Sequence, residues 1–405
     1  MTLTPTTRWA RIGLLNLLLV ALYGLLMRYK IAFAFPYFNQ RNLLHAHSHF
    51  AFAGWVSLLL MALIVNAFEN NFTDKVKQQF NITLWSFLAC SWGMLISFTI
   101  QGYGEVSIFF ATTSVIVSFV YCWLYYKNTK HLKGIQAKRW FNAALIFNLI
   151  STLGTFYLSY MMATKNIGQH NYLATIYWYL HFQYNGWFLF ACIGLLVHYL
   201  QTKGIVVIAF KKVFFLLVIS CVPAYGLSVL WLKIPLAVLL LIGLAAILQF
   251  TGAVKLLLLA GSKKISKPLG LSKLAMIMLL FSGVAFFIKF ALQLGSTIPW
   301  VSQLAFGFRP IVIAYLHLVL LAFTSIFILA YLYMNNFISQ SRIMIAGIIT
   351  FLAGVFLNEL ILGIQGIASF SYTYIPYINE ALVIASVILV AGALFMSVGY
   401  KKRTL

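Results

Sequence analysis

The chain has 405 residues, of which 63% are hydrophobic and only 8% are charged. A soluble domain of this size needs far more charged side chains to cover its surface, so the composition excludes a soluble protein and predicts a polytopic membrane protein. The formal net charge of +23 does not indicate nucleic-acid binding, because the lysines and arginines fall in short loops between apolar runs, where they set membrane topology.

Apolar runs of about 20 residues, the length that crosses a bilayer, recur along the whole chain. They predict an all-α integral membrane protein with about twelve transmembrane helices in one polytopic domain, residues 1–405. No internal repeat is convincing enough to indicate an inverted-repeat transporter. The predicted spans are 9–27, 43–68, 80–100, 105–126, 140–162, 172–200, 212–232, 234–260, 273–295, 309–334, 341–364 and 378–400.

The basic residues predict the orientation of these spans. If the N-terminus is cytoplasmic, twenty lysines and arginines fall in inside segments, including the tail at 401–403, and six fall outside. Both termini are therefore expected in the cytoplasm. The first span lacks a small-residue cleavage site and is expected to be retained. The cysteines all lie within apolar runs and are expected to be free thiols.

Histidines stand near the predicted outer ends of three spans. His45, His47 and His49 open span 2; on a helix, His45 and His49 share a face and His47 points away. His181 and His317 lie in the outer halves of spans 6 and 10. Neutral imidazole is a common ligand of haem iron, copper and zinc, so this convergence in depth predicts a metal or haem site. The alternative for each histidine is a hydrogen bond to a neighbouring helix.

Three short segments resemble subunit I of the haem-copper oxidase superfamily. Residues 41–45, Arg-Asn-Leu-Leu-His, followed by Phe-Ala-Gly-Trp at 52–55, look like the family's span-2 segment. Residues 177–187, Tyr-Trp-Tyr-Leu-His-Phe-Gln-Tyr-Asn-Gly-Trp, are similar to the span-6 segment of nitric oxide reductases. Residues 315–320, Tyr-Leu-His-Leu-Val-Leu, look like the span-10 segment. The resemblance implies a haem-copper-oxidase-like bundle in the bacterial cytoplasmic (inner) membrane.

The resemblance also implies a haem, expected to be b-type, between spans 2 and 10. One axial ligand is His45, His47 or His49, and the sequence leaves that choice open. The other is His317. Tyr315 stands where the family has a histidine that binds a second, high-spin haem, and tyrosine can itself ligate haem iron.

The family's second metal site is altered in this chain. His181 matches its span-6 ligand, and we expect copper or non-haem iron, if present, to use His181 with His49 and Glu359. The family's histidine pair on span 7 is missing, because residues 205–260 contain no histidine. Asn185 stands where nitric oxide reductases have glutamate.

These features predict a membrane haem-binding redox protein; if it is an enzyme, it is an oxidoreductase acting on oxygen or nitric oxide. The expected partners are membrane lipid and a quinol or separate electron-donor protein, with a small gaseous ligand at the second site. The alternative function is a secondary transporter or metal permease with Glu359 and Lys289 on a water-filled path. A third alternative is a structural protein whose polar residues hold helices together.

Overall fold

The computed structural model describes residues 5–166, 168–205, 208–302 and 308–400, and every regular element in them is helical. The predicted all-α, multi-pass architecture is confirmed. The basic tail at 401–403 lies outside the described residues. The helices are α1 (Pro5–Ala32), α2 (Gln40–Ala67), α3 (Asp74–Gln101), α4 (Glu105–Thr129), α5 (Ala137–Ala163), α6 (Gln169–Thr202), α7 (Phe210–Cys221), α8 (Leu236–Gly261), α9 (Lys263–Leu269), α10 (Lys273–Gly295), α11 (Arg309–Met334), α12 (Arg342–Phe370) and α13 (Ile378–Val398).

Eleven of the helices in the described residues are long and apolar enough to cross a membrane, against twelve predicted. The exception is predicted span 7. There α7 ends at Cys221, and a 3₁₀ helix, Pro223–Ser228, follows. Pro223 has no N–H to continue the α-helical ladder, which explains the break. The α-helix rises about 1.5 Å per residue and the 3₁₀ helix about 2 Å, so their summed length is about 30 Å. This equals the thickness of a bilayer's hydrocarbon core.

The two ends of the described chain lie next to each other. The Tyr400 hydroxyl donates to the Thr7 carbonyl oxygen at 2.6 Å, and Ser397 Oγ donates to the Leu14 carbonyl oxygen at 3.2 Å. The start of α1 therefore meets the end of α13.

Polar side chains mark where several helices begin. Asn39 accepts hydrogen bonds from the backbone N–H groups of Arg41 and Asn42 at the start of α2. Thr73 and Ser272 cap α3 and α10 in the same way. Such caps satisfy amide groups that the first helical turn leaves without an intrahelical partner.

The chain divides into two compact units, each described here by itself. Unit 1 comprises residues 1–133, 328–368 and 372–405. In it α1 packs against α13 and α2, and α3 packs against α2 and α4. α12 and α13 approach closely through glycine: a Cβ added at Gly392 would lie 2.5 Å from the Phe351 backbone nitrogen. Small residues allow such close helix crossings in membranes.

Unit 2 comprises residues 134–327 and 369–371. α6 packs along α5, where Trp178 Nε1 donates to the Ile150 carbonyl oxygen at 2.9 Å. α8 packs between α7 and α10, and Ser282 of α10 donates to the Phe323 carbonyl oxygen of α11 at 3.0 Å. Across both units the four cysteines are buried and free, as predicted.

Candidate functional site

The three histidine-bearing helices share one local design. In α2, α6 and α11 an α-helical turn containing histidine is followed by a π-helical segment and then by α-helix again. The π segments are Ala51–Ser57, Phe182–Phe188 and Leu318–Ser325. His45, His181 and His317 also stand at equal intervals of 136 residues. π-helical segments are rare and occur frequently at functional sites, so their recurrence makes the histidines of these three helices candidate functional residues.

Side chains satisfy backbone carbonyl groups that the π geometry displaces. Asn16 of α1 donates to the Gly54 carbonyl oxygen at 2.6 Å within the first π segment. In the third, the hydroxyls of Thr324 and Ser325 donate to carbonyl oxygens five residues earlier, each at 2.8 Å. These polar residues provide a local reason that α2 and α11, which are otherwise apolar, keep a wider turn after their histidines.

In unit 1 the three span-2 histidines divide between two faces, as predicted. The His49 ring stacks on Phe98 of α3 with centroids 4.4 Å apart, and its Nε2 lies 3.2 Å from the Tyr103 hydroxyl. His45 meets the edge of the Tyr103 ring at 4.6 Å. His47 faces α1, where Gly24 leaves room for its ring. The helical spacing therefore directs His45 and His49 toward α3.

His45 has a buried ring nitrogen that could bind a metal. Its Nε2 is buried and has no hydrogen-bond partner among the residues that the structure describes. A buried polar atom without a partner costs about 1–3 kcal/mol, so such atoms are rare in folded proteins unless another group binds them. Nε2 is also the atom through which imidazole commonly binds a metal. This buried nitrogen makes His45 one candidate among the three that the sequence leaves open.

His317, in unit 2, has one ring nitrogen held by its own helix. Nδ1 lies 2.9 Å from the carbonyl oxygen of Ile313. A carbonyl oxygen only accepts, so Nδ1 carries the hydrogen and the lone pair of the neutral ring is on Nε2. A histidine that donates from one nitrogen to a backbone carbonyl is the usual arrangement for metal ligation through the other. Tyr315 instead contacts Tyr184 of α6: their rings are 6.0 Å apart and their side chains are hydrogen-bonded.

His181 is fully buried and hydrogen-bonded through both ring nitrogens. Nε2 lies 2.8 Å from the carbonyl oxygen of Cys221, and Nδ1 lies 3.0 Å from Nδ2 of Asn185. The carbonyl requires Nε2 to donate, so Nδ1 of the neutral ring accepts from the amide. The Cys221 carbonyl is available because the Tyr225 N–H bonds to the Val222 carbonyl, in the 3₁₀ pattern that follows Pro223.

A buried lysine lies in the same unit as this histidine. Lys289 of α10 is completely buried, donates to Gln293 Oε1 at 2.9 Å and places Nζ 3.6 Å from the centroid of the Phe290 ring. It interacts electrostatically with His181 and Cys221. Buried lysine in a membrane helix is costly and usually functional. The sequence located Lys289 in the outer part of a span but gave no sign that it faces His181.

Glu359, the predicted carboxylate ligand, lies in unit 1 on α12. Its Oε1 accepts from Asn358 Nδ2 at 3.1 Å, and it interacts electrostatically with Arg28 of α1. Among the described residues, no three histidine, cysteine, aspartate or glutamate side chains are grouped so that they could hold a metal ion. His181 belongs to unit 2, whereas His49 and Glu359 belong to unit 1, so their use as joint ligands of a second metal stays a prediction.

No protein-family model matches the sequence, and no curated protein is significantly similar to it. The class of protein therefore follows from the fold: a multi-pass, all-helical membrane protein. Its distinguishing feature is the set of three π-interrupted helices, each with a histidine directly before or within the turn that precedes the π segment.

Proposed function

We propose that this chain is a haem-binding redox protein of the membrane, with His45 and His317 as axial ligands. The observation that carries the proposal is the buried Nε2 of His45, which has no hydrogen-bond partner in the described part of the chain. The Nδ1–H···O=C bond of His317 supports the second assignment, because it leaves the lone pair on Nε2. The resemblance of the span-2 and span-10 segments to haem-copper oxidases also supports haem binding by these two spans.

A bound haem would supply a one-electron couple whose potential depends on its axial ligands and surroundings. The protein's own part is to hold the ligand rings. His45 is held against the Tyr103 ring, and the Ile313 carbonyl fixes the tautomer of His317. Electron transfer is the activity that a haem with two axial histidines supports, and it is the activity we propose. A quinol or separate protein as donor, and oxygen or nitric oxide as ligand, remain predictions.

The proposal is tested by measuring haem in the purified protein. Haem is extracted from the wild type and from the His45→Ala, His317→Ala and His131→Ala variants, and is quantified per chain as its pyridine complex. We expect haem in the wild type, a loss of at least half in each ligand variant and none lost with His131→Ala, since His131 is exposed in a loop. Haem retained in both ligand variants, or absent from the folded wild type, would refute the assignment.

A second candidate function is supported by the ionisable side chains within apolar helices. Lys289 is enclosed by unit 2, and Glu359 is half-buried in unit 1. Residues of this kind mark transport and proton pathways in membrane proteins. A secondary transporter or metal permease therefore remains the alternative. It predicts ion or substrate flux in liposomes that is abolished by Glu359→Gln or Lys289→Met, from a protein that contains no haem.

A further inference from the structure

Unit 2 has a groove on its surface between α7 and α8. Its volume is about 430 Å³. The lining combines apolar side chains with two lysines, and it is formed by Lys212, Phe215, Leu216, Ile219, Leu248 and Lys255. The site is separate from the histidines and from Lys289.

The two lysines stand near one end of the groove. α7 and α8 are neighbouring helices, and Lys212 is close to the start of α7 while Lys255 is about 9 Å before the end of α8. Both side chains are exposed, and a long lysine stem can carry its ammonium group toward the membrane surface. Ile219 lies about 10 Å further along α7 than Lys212, which gives the groove a charged end and an apolar remainder.

The lysines of unit 2 have no acidic residue within that unit with which to form an ion pair. All five acidic residues of the chain lie in unit 1, and residues 134–327 and 369–371 contain none. Neither Lys212 nor Lys255 makes an ion pair within the described part of the chain. Unit 2 therefore offers these two lysines no carboxylate partner. The apolar lining beside them suits an anion attached to a hydrocarbon chain.

We propose that this groove binds an anionic membrane phospholipid. The phosphate lies between the Lys212 and Lys255 ammonium groups, and an acyl chain lies along Phe215, Ile219 and Leu248. Basic pockets between transmembrane helices on the cytoplasmic side suit anionic headgroups, and the basic-residue pattern predicts this side for both lysines. The site is independent of haem binding.

Native mass spectrometry of the delipidated, full-length protein in neutral detergent tests the proposal. Phosphatidylglycerol and phosphatidylcholine are added in equal amounts, and bound lipid is counted by mass. We expect the wild type to retain phosphatidylglycerol preferentially. K212Q/K255Q should bind phosphatidylglycerol about 30-fold more weakly, since each lysine near a membrane surface contributes substantially to anionic lipid binding. K212R/K255R keeps the charge and should keep the preference.

K165Q/K233Q is the matched control, because it removes two exposed lysines of unit 2 from other loops. It should bind phosphatidylglycerol like the wild type. Leu248→Trp fills the apolar part, keeps both charges and should also weaken lipid binding. Glycerol phosphate, which has the headgroup charge but no acyl chain, should not compete. Equal retention of both lipids, equal loss in the control, or full competition by glycerol phosphate would overturn the proposal. Because K212R/K255R preserves the charge, its loss of lipid preference would overturn it as well.

Discussion

Replacing His181 tests whether this residue holds α6 to α7 or binds a metal. The structure assigns both ring nitrogens to hydrogen bonds, with the Cys221 carbonyl and the Asn185 amide. His181→Ala leaves two buried polar groups without these partners. Each costs about 1–3 kcal/mol, so we expect the free energy of unfolding to fall by about 2–6 kcal/mol, with a further contribution from the cavity. A haem held by other histidines should remain in the folded fraction.

The free energy of unfolding is measured in mixed micelles by titrating SDS and following helicity by circular dichroism. His181→Gln retains an amide that can donate to the Cys221 carbonyl, so its loss should be smaller. His170→Ala is the control, since that histidine is exposed and stacks on Trp231. Its effect should stay within about 0.5 kcal/mol. If His181→Ala keeps wild-type stability but loses a bound metal, the structural role is wrong.

Three further substitutions test individual contacts. Gln293→Leu removes the hydrogen-bond acceptor from the buried Lys289 side chain and should destabilise the protein by about 1.5–3 kcal/mol. Lys289→Met removes the buried amine itself and should cost less. SDS unfolding of both variants decides, and equal losses would contradict this ordering. Gly392→Ala should destabilise the protein by several kcal/mol, because the added Cβ would meet the Phe351 backbone. Gly363→Ala is the control: its Cβ would enter open space, so it should be neutral or stabilise the protein by about 0.5–1 kcal/mol. Similar melting temperatures of the two variants would refute the close crossing of α12 and α13. Burial raises the pKa of Tyr400, so the stability that the neutral hydroxyl contributes should be lost as pH rises above about 10. In a series of melting temperatures against pH, Tyr400→Phe should therefore lose less stability above that pH than the wild type. An unchanged alkaline profile would contradict this prediction.

The sequence predicted those features that depend on local periodicity. Apolar runs located eleven long helices, and the four-residue spacing of His45 and His49 correctly put them on one face, opposite His47. Span 7 was predicted as a full helix because its residues are apolar. The break after Cys221 follows from Pro223, whose missing N–H changes the hydrogen-bond pattern.

Features that depend on contacts between helices were not predictable in the same way. A helix that is apolar all round does not show which face meets a neighbour, so the burial of Lys289 beside His181 had no periodic signal. The two hydrogen bonds of His181 require knowledge of which carbonyl loses its backbone partner in another helix.

The reduced-minus-oxidised optical spectrum of the purified wild-type protein tests haem binding most directly. Two axial histidines hold haem iron in a six-coordinate, low-spin state. The account predicts a Soret band and sharp α and β bands after dithionite reduction, and their loss in His45→Ala. A folded wild-type protein without a Soret band would contradict it and favour the transporter.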